Sequence, residues 1–106
     1  MNQQAMLRKI KKMQEEMVAA QEELEATSFY ASSGGVVSVE LKGTKELVKV
    51  TISEDFEAES KEDLVLLEEM VVAACNQAYK DIEKATKEKM GKYTDMLGGF
   101  GGLGGF

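Results

Sequence analysis

Arg8, Lys9, Lys11 and Lys12 lie within one run of seven residues, MLRKIKK, that contains no acid. Guanidinium and ammonium groups on neighbouring turns of a helix can serve one chemical task. They neutralise phosphates, and such contacts carry little information about base sequence. The cluster stands out because the 106-residue chain has a formal net charge of −6. Residues 15–79 hold four lysines against fifteen acids, whereas residues 80–92 hold five lysines (Lys80, Lys84, Lys87, Lys89 and Lys92) against three acids. A basic tip on an acidic body can hold a polyanion locally and repel it elsewhere, with strong dependence on salt. The same composition admits a solvated face or another anionic partner. Lysines near a helix C-terminus also complement the macrodipole, which could account for Lys87, Lys89 and Lys92. It does not account for residues 8–12, which sit near a helix N-terminus, where cations are mildly unfavourable.

Other chemistry is poorly provided for. The chain has no histidine, so Ser–His and Cys–His nucleophile pairs and histidine-ligated zinc are excluded. Cys75 is the only cysteine, which rules out an intrachain disulfide and points to a reducing, cytoplasmic setting. Its surroundings, VVAACNQAY, suit a buried thiol on a helix face better than a reactive one. Adjacent carboxylates such as Glu22-Glu23 and Glu68-Glu69 point to different faces of a helix and form no acid–base dyad on their own. Gly34-Gly35 lacks the following lysine and helix start of a phosphate-binding loop and reads as a turn. No enzyme activity, cofactor, metal or small-molecule substrate is expected. No stretch approaches the roughly 18 apolar residues of a membrane span, and no signal-peptide core precedes the basic run.

The elements that must position the basic residues are legible from periodicity. Met6, Ile10, Met13, Met17, Ala20 and Leu24 recur at alternating steps of four and three, which predicts a long helix from about residue 2 to 26 with one narrow apolar seam. At 1.5 Å per residue it reaches about 35 Å, so part of it should project beyond a small sheet. TSFYASS reads as a short, irregular strand. In VVSVELKG, Val37, Val39 and Leu41 alternate with polar residues, the mark of a half-buried strand. LVKVTIS places Val48, Val50 and Ile52 on one face and Leu47, Lys49 and Thr51 on the other, and the short gap at Gly43 makes these two strands an antiparallel hairpin. Ser60 and Asp63 resemble a capping box that opens a second long helix, with Leu64, Leu67, Val71, Ala74, Ala78, Ile82 and Ala85 at helical spacing. Its small apolar middle, VVAAC, predicts burial on more than one side. Gly91 is the expected stop. Residues 1–92 are thus expected to form a single α+β domain, helix, three antiparallel strands, helix, and residues 93–106 a flexible tail, with six glycines in the last nine residues.

KKMQEEMVAAQEEL, SSGGVVSVELKG, AACNQA and EKMGKYTDMLGG, in that order, resemble the YbaB/EbfC family of bacterial nucleoid-associated proteins over nearly the whole chain. The resemblance implies a two-layer helix–sheet–helix fold, a tweezer-like homodimer with projecting helices, double-stranded DNA as partner, and a cytoplasmic, nucleoid location. Carried over by position, it marks Arg8, Lys9, Lys11, Lys12, Lys89 and Lys92 as DNA contacts and Met13, Met17 and Leu24 as seam packing. Those contacts would be mainly to phosphates, of low sequence specificity, with a role in nucleoid organisation and gene regulation. The alternative is a protein–protein adaptor that docks through the methionine-lined seam or through Phe100, Leu103 and Phe106 of the tail.

Overall fold

The computed structural model describes residues 2–98, arranged as α1 (Gln3–Ala26), β1 (Ser28–Ser33), β2 (Val37–Lys42), β3 (Leu47–Ile52) and α2 (Lys61–Gly98). The expected element order and fold class are what is observed. Both helices start at polar caps. The Asn2 side chain accepts from the Gln4 N–H at 2.9 Å, ahead of α1. Ahead of α2, the Ser60 hydroxyl accepts from the Asp63 N–H at 3.3 Å, and the Asp63 carboxylate reaches back to the Glu59 N–H at 2.8 Å. This is a capping box whose return bond lands one residue earlier than usual.

The strands form an antiparallel meander in the order β1-β2-β3. Its β1–β2 turn uses Gly34 and Gly35 at φ of 61° and 67°, a region that glycine enters without steric cost. The α2 helix packs on β1 and β2, so Val37, Val39 and Leu41 are buried against Ala74, Ala78 and Ile82. The two alanines are small enough to bring the helix close to the pleated surface. Phe29 and Ala31, opposite Leu41 and Val39, complete that face from β1.

β3 overhangs this packing. A register irregularity between Glu40 and Leu41 sets Leu47 opposite Leu41, and every residue of the strand is exposed. The middle of α2 is likewise covered on one side only. Ala74 is buried and Cys75 half-buried, while Val72 stays 58% exposed, so the expected burial of VVAAC on several sides does not occur within one chain.

The second helix does not stop at Gly91. It continues to Gly98, because Tyr93, one turn from Met90, is buried to 5% exposure and extends the seam past the glycine. A glycine inside a helix costs only about 1 kcal/mol, which such burial offsets. Six residues of the expected tail, 93–98, are therefore helical, and its remainder, 99–106, lies outside the described residues.

The molecule measures 72 × 22 × 15 Å with a radius of gyration of 20.2 Å, against about 13 Å for a compact chain of similar length. The excess is an antiparallel two-helix arm, in which α1 runs alongside the C-terminal half of α2. The arm joins the body where Gly43, beyond β2, meets the end of α1. The Gly43 N–H donates to the Thr27 carbonyl at 3.0 Å, and a Cβ on Gly43 would collide with the Leu24 carbonyl. Gly43→Ala is expected to destabilise the fold by more than about 2 kcal/mol, a fall in Tm of roughly 10 °C. Gly35→Ala, where the position is open and only the positive φ is strained, should cost about 1 kcal/mol. Thermal melts compare them, and equal losses would show that the Gly43 crossing has no special role.

Candidate nucleic-acid interface

Two helices fix the position of the basic residues. The first is held by few groups, since Met13 and Leu24 are its only buried residues among those described. Leu24 shares a cleft with Ile82, and Met13 shares another with Tyr93. This seam makes the first turns of α1 neighbours of the last turns of α2. Met17, Ala20 and Ile10 line it half-buried, while Met6, expected to belong, is 49% exposed beyond its end.

The arm has two unlike flanks on either side of the seam. On one, Lys9, Lys12 and Glu16 of α1 meet Lys92, Tyr93 and Met96 of α2 around a single cleft. The Lys92 ammonium lies 4.9 Å from the Tyr93 ring centroid, a contact that keeps it on this flank. Further along the same side, Glu16, Ala20 and Glu23 face Lys89 and Lys92. The other flank is an apolar groove lined by Met17, Val18, Thr86, Met90, Tyr93 and Thr94, with Glu22 and Glu25 along its α1 rim. Only Tyr93 lines both.

The six residues singled out from the sequence divide accordingly. Lys9, Lys12 and Lys92 come together. Arg8 and Lys11 are exposed, and Lys11 sits among Gln14, Glu15, Val18 and Glu22 on α1 alone, so these two extend the positive surface around the back of the helix. Lys89 differs. Its ammonium lies 3.1 Å from the Glu23 carboxylate and its side chain is only 32% exposed, so it ties α2 to α1 in the middle of the arm. Among the described residues, Arg8, Lys9, Lys11, Lys12 and Lys92 form no ion pair within 4 Å.

The helix end at Gly98 also removes the bland explanation for the lysines of α2. Its last turn holds no basic residue, and the dipole's influence fades within one turn, so Lys87, Lys89 and Lys92 lie too far from the terminus to owe their place to it. Tyr93 and Met96 are not legible as arm residues because Gly91 reads as a terminator. The overlooked signal is the spacing Ile82, Thr86, Met90 and Tyr93, which carries the apolar stripe through the glycine.

The site's chemistry is that of a cation cluster. No group of three or more candidate metal ligands occurs among the described residues.

Comparison with known proteins gives concordant matches. The YbaB/EbfC DNA-binding family matches residues 1–97. A nucleoid-associated protein of Clostridium novyi is 37% identical over 98 residues, covering 92% of this chain and 84% of the relative. One from Lactococcus lactis is 38% identical over 98 residues, covering 92% and 97%. Another, from Saccharopolyspora erythraea, is 38% identical over 105 residues, covering 98% and 89%. The crystal structure of an uncharacterized protein from Helicobacter pylori superposes with a TM-score of 0.66 at 26% identity, covering 92% of this chain and 98% of that one.

The seam itself can be tested. Tyr93→Ala should cost roughly 3 kcal/mol, and the loss should be local. Hydrogen exchange of residues 3–16 should accelerate while the amides of β2 keep their protection. Uniform acceleration over the whole chain would show that α1 is held by something other than this seam.

Proposed function

The chain belongs to the YbaB/EbfC DNA-binding family, and on that premise we propose that it binds duplex DNA as a homodimer through the tips of its helical arms and acts in association with the nucleoid. The observation that carries the reading is the convergence of Lys9 and Lys12 with Lys92 from a different helix, around one cleft and without ion-pair partners among the described residues. Arg8 and Lys11 widen the patch. Lys89 is assigned to the seam through Glu23, and contributes to phosphate binding only indirectly.

The contacts are to phosphates. Five cations on two rigid helices can follow a phosphate backbone, and among the described residues no exposed aromatic ring lies between them to stack on bases, so binding is of low sequence specificity and weakens steeply with salt. The relatives from Clostridium novyi and Lactococcus lactis are likewise nucleoid-associated proteins.

The homodimer is supported by what a single chain leaves bare. Leu47, Val48, Val50 and Ile52 of β3, and Val65 and Val72, two turns apart on one face of α2, are each 38% exposed or more. An aliphatic edge strand beside an aliphatic helix face is a strong candidate for pairing with another chain. A second copy of the chain laid on this surface covers it and leaves both arms free to project, giving two basic tips per particle.

Two experiments test the reading. Fluorescence anisotropy of labelled duplex DNA should show the wild type binding at low salt, with affinity falling as salt rises. Changing Arg8, Lys9, Lys11 and Lys12 together to glutamine should abolish that binding, each lost phosphate contact flattening the salt slope by about 0.9. A wild type that fails to bind at low salt overturns the assignment, and the charge-neutralised protein that still captures a protein partner would favour the adaptor reading. Sedimentation at micromolar concentration should give twice the 11.6 kDa chain mass. Val50→Glu with Ile52→Glu should yield monomer, and a dimer that survives both changes would place the interface elsewhere.

A further inference from the structure

The second flank of the arm has no part in that proposal, and it carries a pattern of its own. Leu7, Lys11, Gln14, Val18, Gln21 and Glu25 recur at steps of four and three, a second stripe along α1 turned away from the seam. Its two apolar members, Leu7 and Val18, are both more than half exposed. Val18 forms the edge of the apolar groove, which has Glu22 and Glu25 along its rim. It also borders a shallow hollow on α1 that holds Lys11 and Glu15.

The surfaces already assigned leave this flank open. Glu15, Glu22 and Glu25 repel a phosphate backbone, so the nucleic acid held by the opposite flank is a poor occupant. The exposed aliphatic face of the body is remote, since Val72 and Thr86 are fourteen residues apart on one helix, about 21 Å. An apolar group accompanied by a cation is the complement of a groove with an acidic rim. The arm of another copy presents that combination at Leu7 and Lys11.

We propose that the arms of two copies pair side by side and antiparallel through α1, each laying its Leu7 over Val18 of the other and its Lys11 against the other's Glu15. One two-fold axis satisfies both contacts. It crosses α1 midway between residues 7 and 18 for the first and midway between residues 11 and 15 for the second. Those points are half a residue apart, about 0.8 Å along the helix. Parallel pairing would instead set the two basic runs side by side, so charge selects the antiparallel order. Among the described residues Lys11 and Glu15 form no ion pair within the chain, and a lysine four residues ahead of a glutamate is the weaker order on a helix. Pairing between copies gives both groups a partner.

Lys9, Lys12 and Lys92 remain on the opposite flank, so the contact is compatible with phosphate binding and does not depend on it. Together with the body interface proposed above, a two-fold contact at each arm carries the protein past a dimer into an open row of dimers. Successive basic clusters are then spaced along that row.

The test is sedimentation of the full chain at rising concentration, without nucleic acid. The wild type should grow in mass beyond the dimer, and Leu7→Glu and Val18→Glu, both at exposed positions, should lose that growth while keeping the dimer. Lys11→Glu alone and Glu15→Lys alone should each lose it, because like charges then face each other in both contacts. An equal mixture of these two variants should regain it, since every contact between unlike copies again joins a lysine to a glutamate. A wild-type mass that stays constant with concentration overturns the proposal, as does a mixture that grows no more than its components. The body interface is judged separately. With Val50→Glu and Ile52→Glu in place, the arm contact should persist as a concentration-dependent pairing of monomers that Leu7→Glu removes. Should that variant remain a stable dimer until Leu7→Glu is added, the arm contact stands and the body interface falls.

Discussion

A narrow seam between two antiparallel helices governs the whole arm. The first helix is anchored at one end where Leu24 meets the Gly43 crossing and is held again two to three turns from its start by Met13 beside Tyr93. Between these points no residue of α1 is buried against α2. Such a seam fixes which residues face which flank, because a rotation of α1 by one position would turn Lys9 and Lys12 away from Lys92. The Lys89–Glu23 pair contributes at the same place. As a half-exposed ion pair it is worth little in stability, but its partners lie on different helices, so it favours one register of α1 on α2 over its neighbours.

The 38-residue second helix serves two purposes along its length. Its first half carries small residues, Ala74 and Ala78, where it must approach the sheet, and its second half carries Met90, Tyr93 and Met96, where it must fill the space beside another helix. Charge follows the same division. Acids dominate the body, and cations that form no ion pair among the described residues are found at the tip. A protein built this way confines contact with a polyanion to the part that projects.

Most of this organisation is legible in the sequence because the relevant patterns are local. The four-three spacing of α1, the alternation of Val37, Val39 and Leu41, and the Ser60–Asp63 cap each depend on residues within a few positions of one another. The failures are of a different kind. Gly91 reads as a terminator only because propensity is a local quantity, whereas the helix is continued by Tyr93 packing across to α1, a partner nearly eighty residues earlier. Val48, Val50 and Ile52 alternate as a strand should, but alternation does not say whether the covering layer belongs to the same chain. In this chain α2 packs mainly on β1 and β2. Lys89 and Lys92 look equivalent in sequence, and only the position of Glu23 separates them.

The net charge of −6 is a weak argument against phosphate binding once the geometry is considered. The acid-rich stretch from Glu54 to Glu69 lies at the sheet end of α2, and Glu62 and Lys92 are thirty residues apart on one straight helix, about 45 Å. At physiological ionic strength the Debye length is about 8 Å, so the body's field is screened many times over before it reaches the tip. The acids that matter are those within the arm. Glu23 is engaged by Lys89, and Glu15, Glu16, Glu88 and Asp95 lie within four residues of a member of the cluster, against five cations that form no ion pair among the described residues. At very low salt the Debye length approaches 30 Å and the acidic body is felt more strongly at the tip. Its repulsion then opposes any second DNA segment lying along the body, which restricts contact to the arm ends and makes the shape of the molecule, more than its total charge, the determinant of where a polyanion is held.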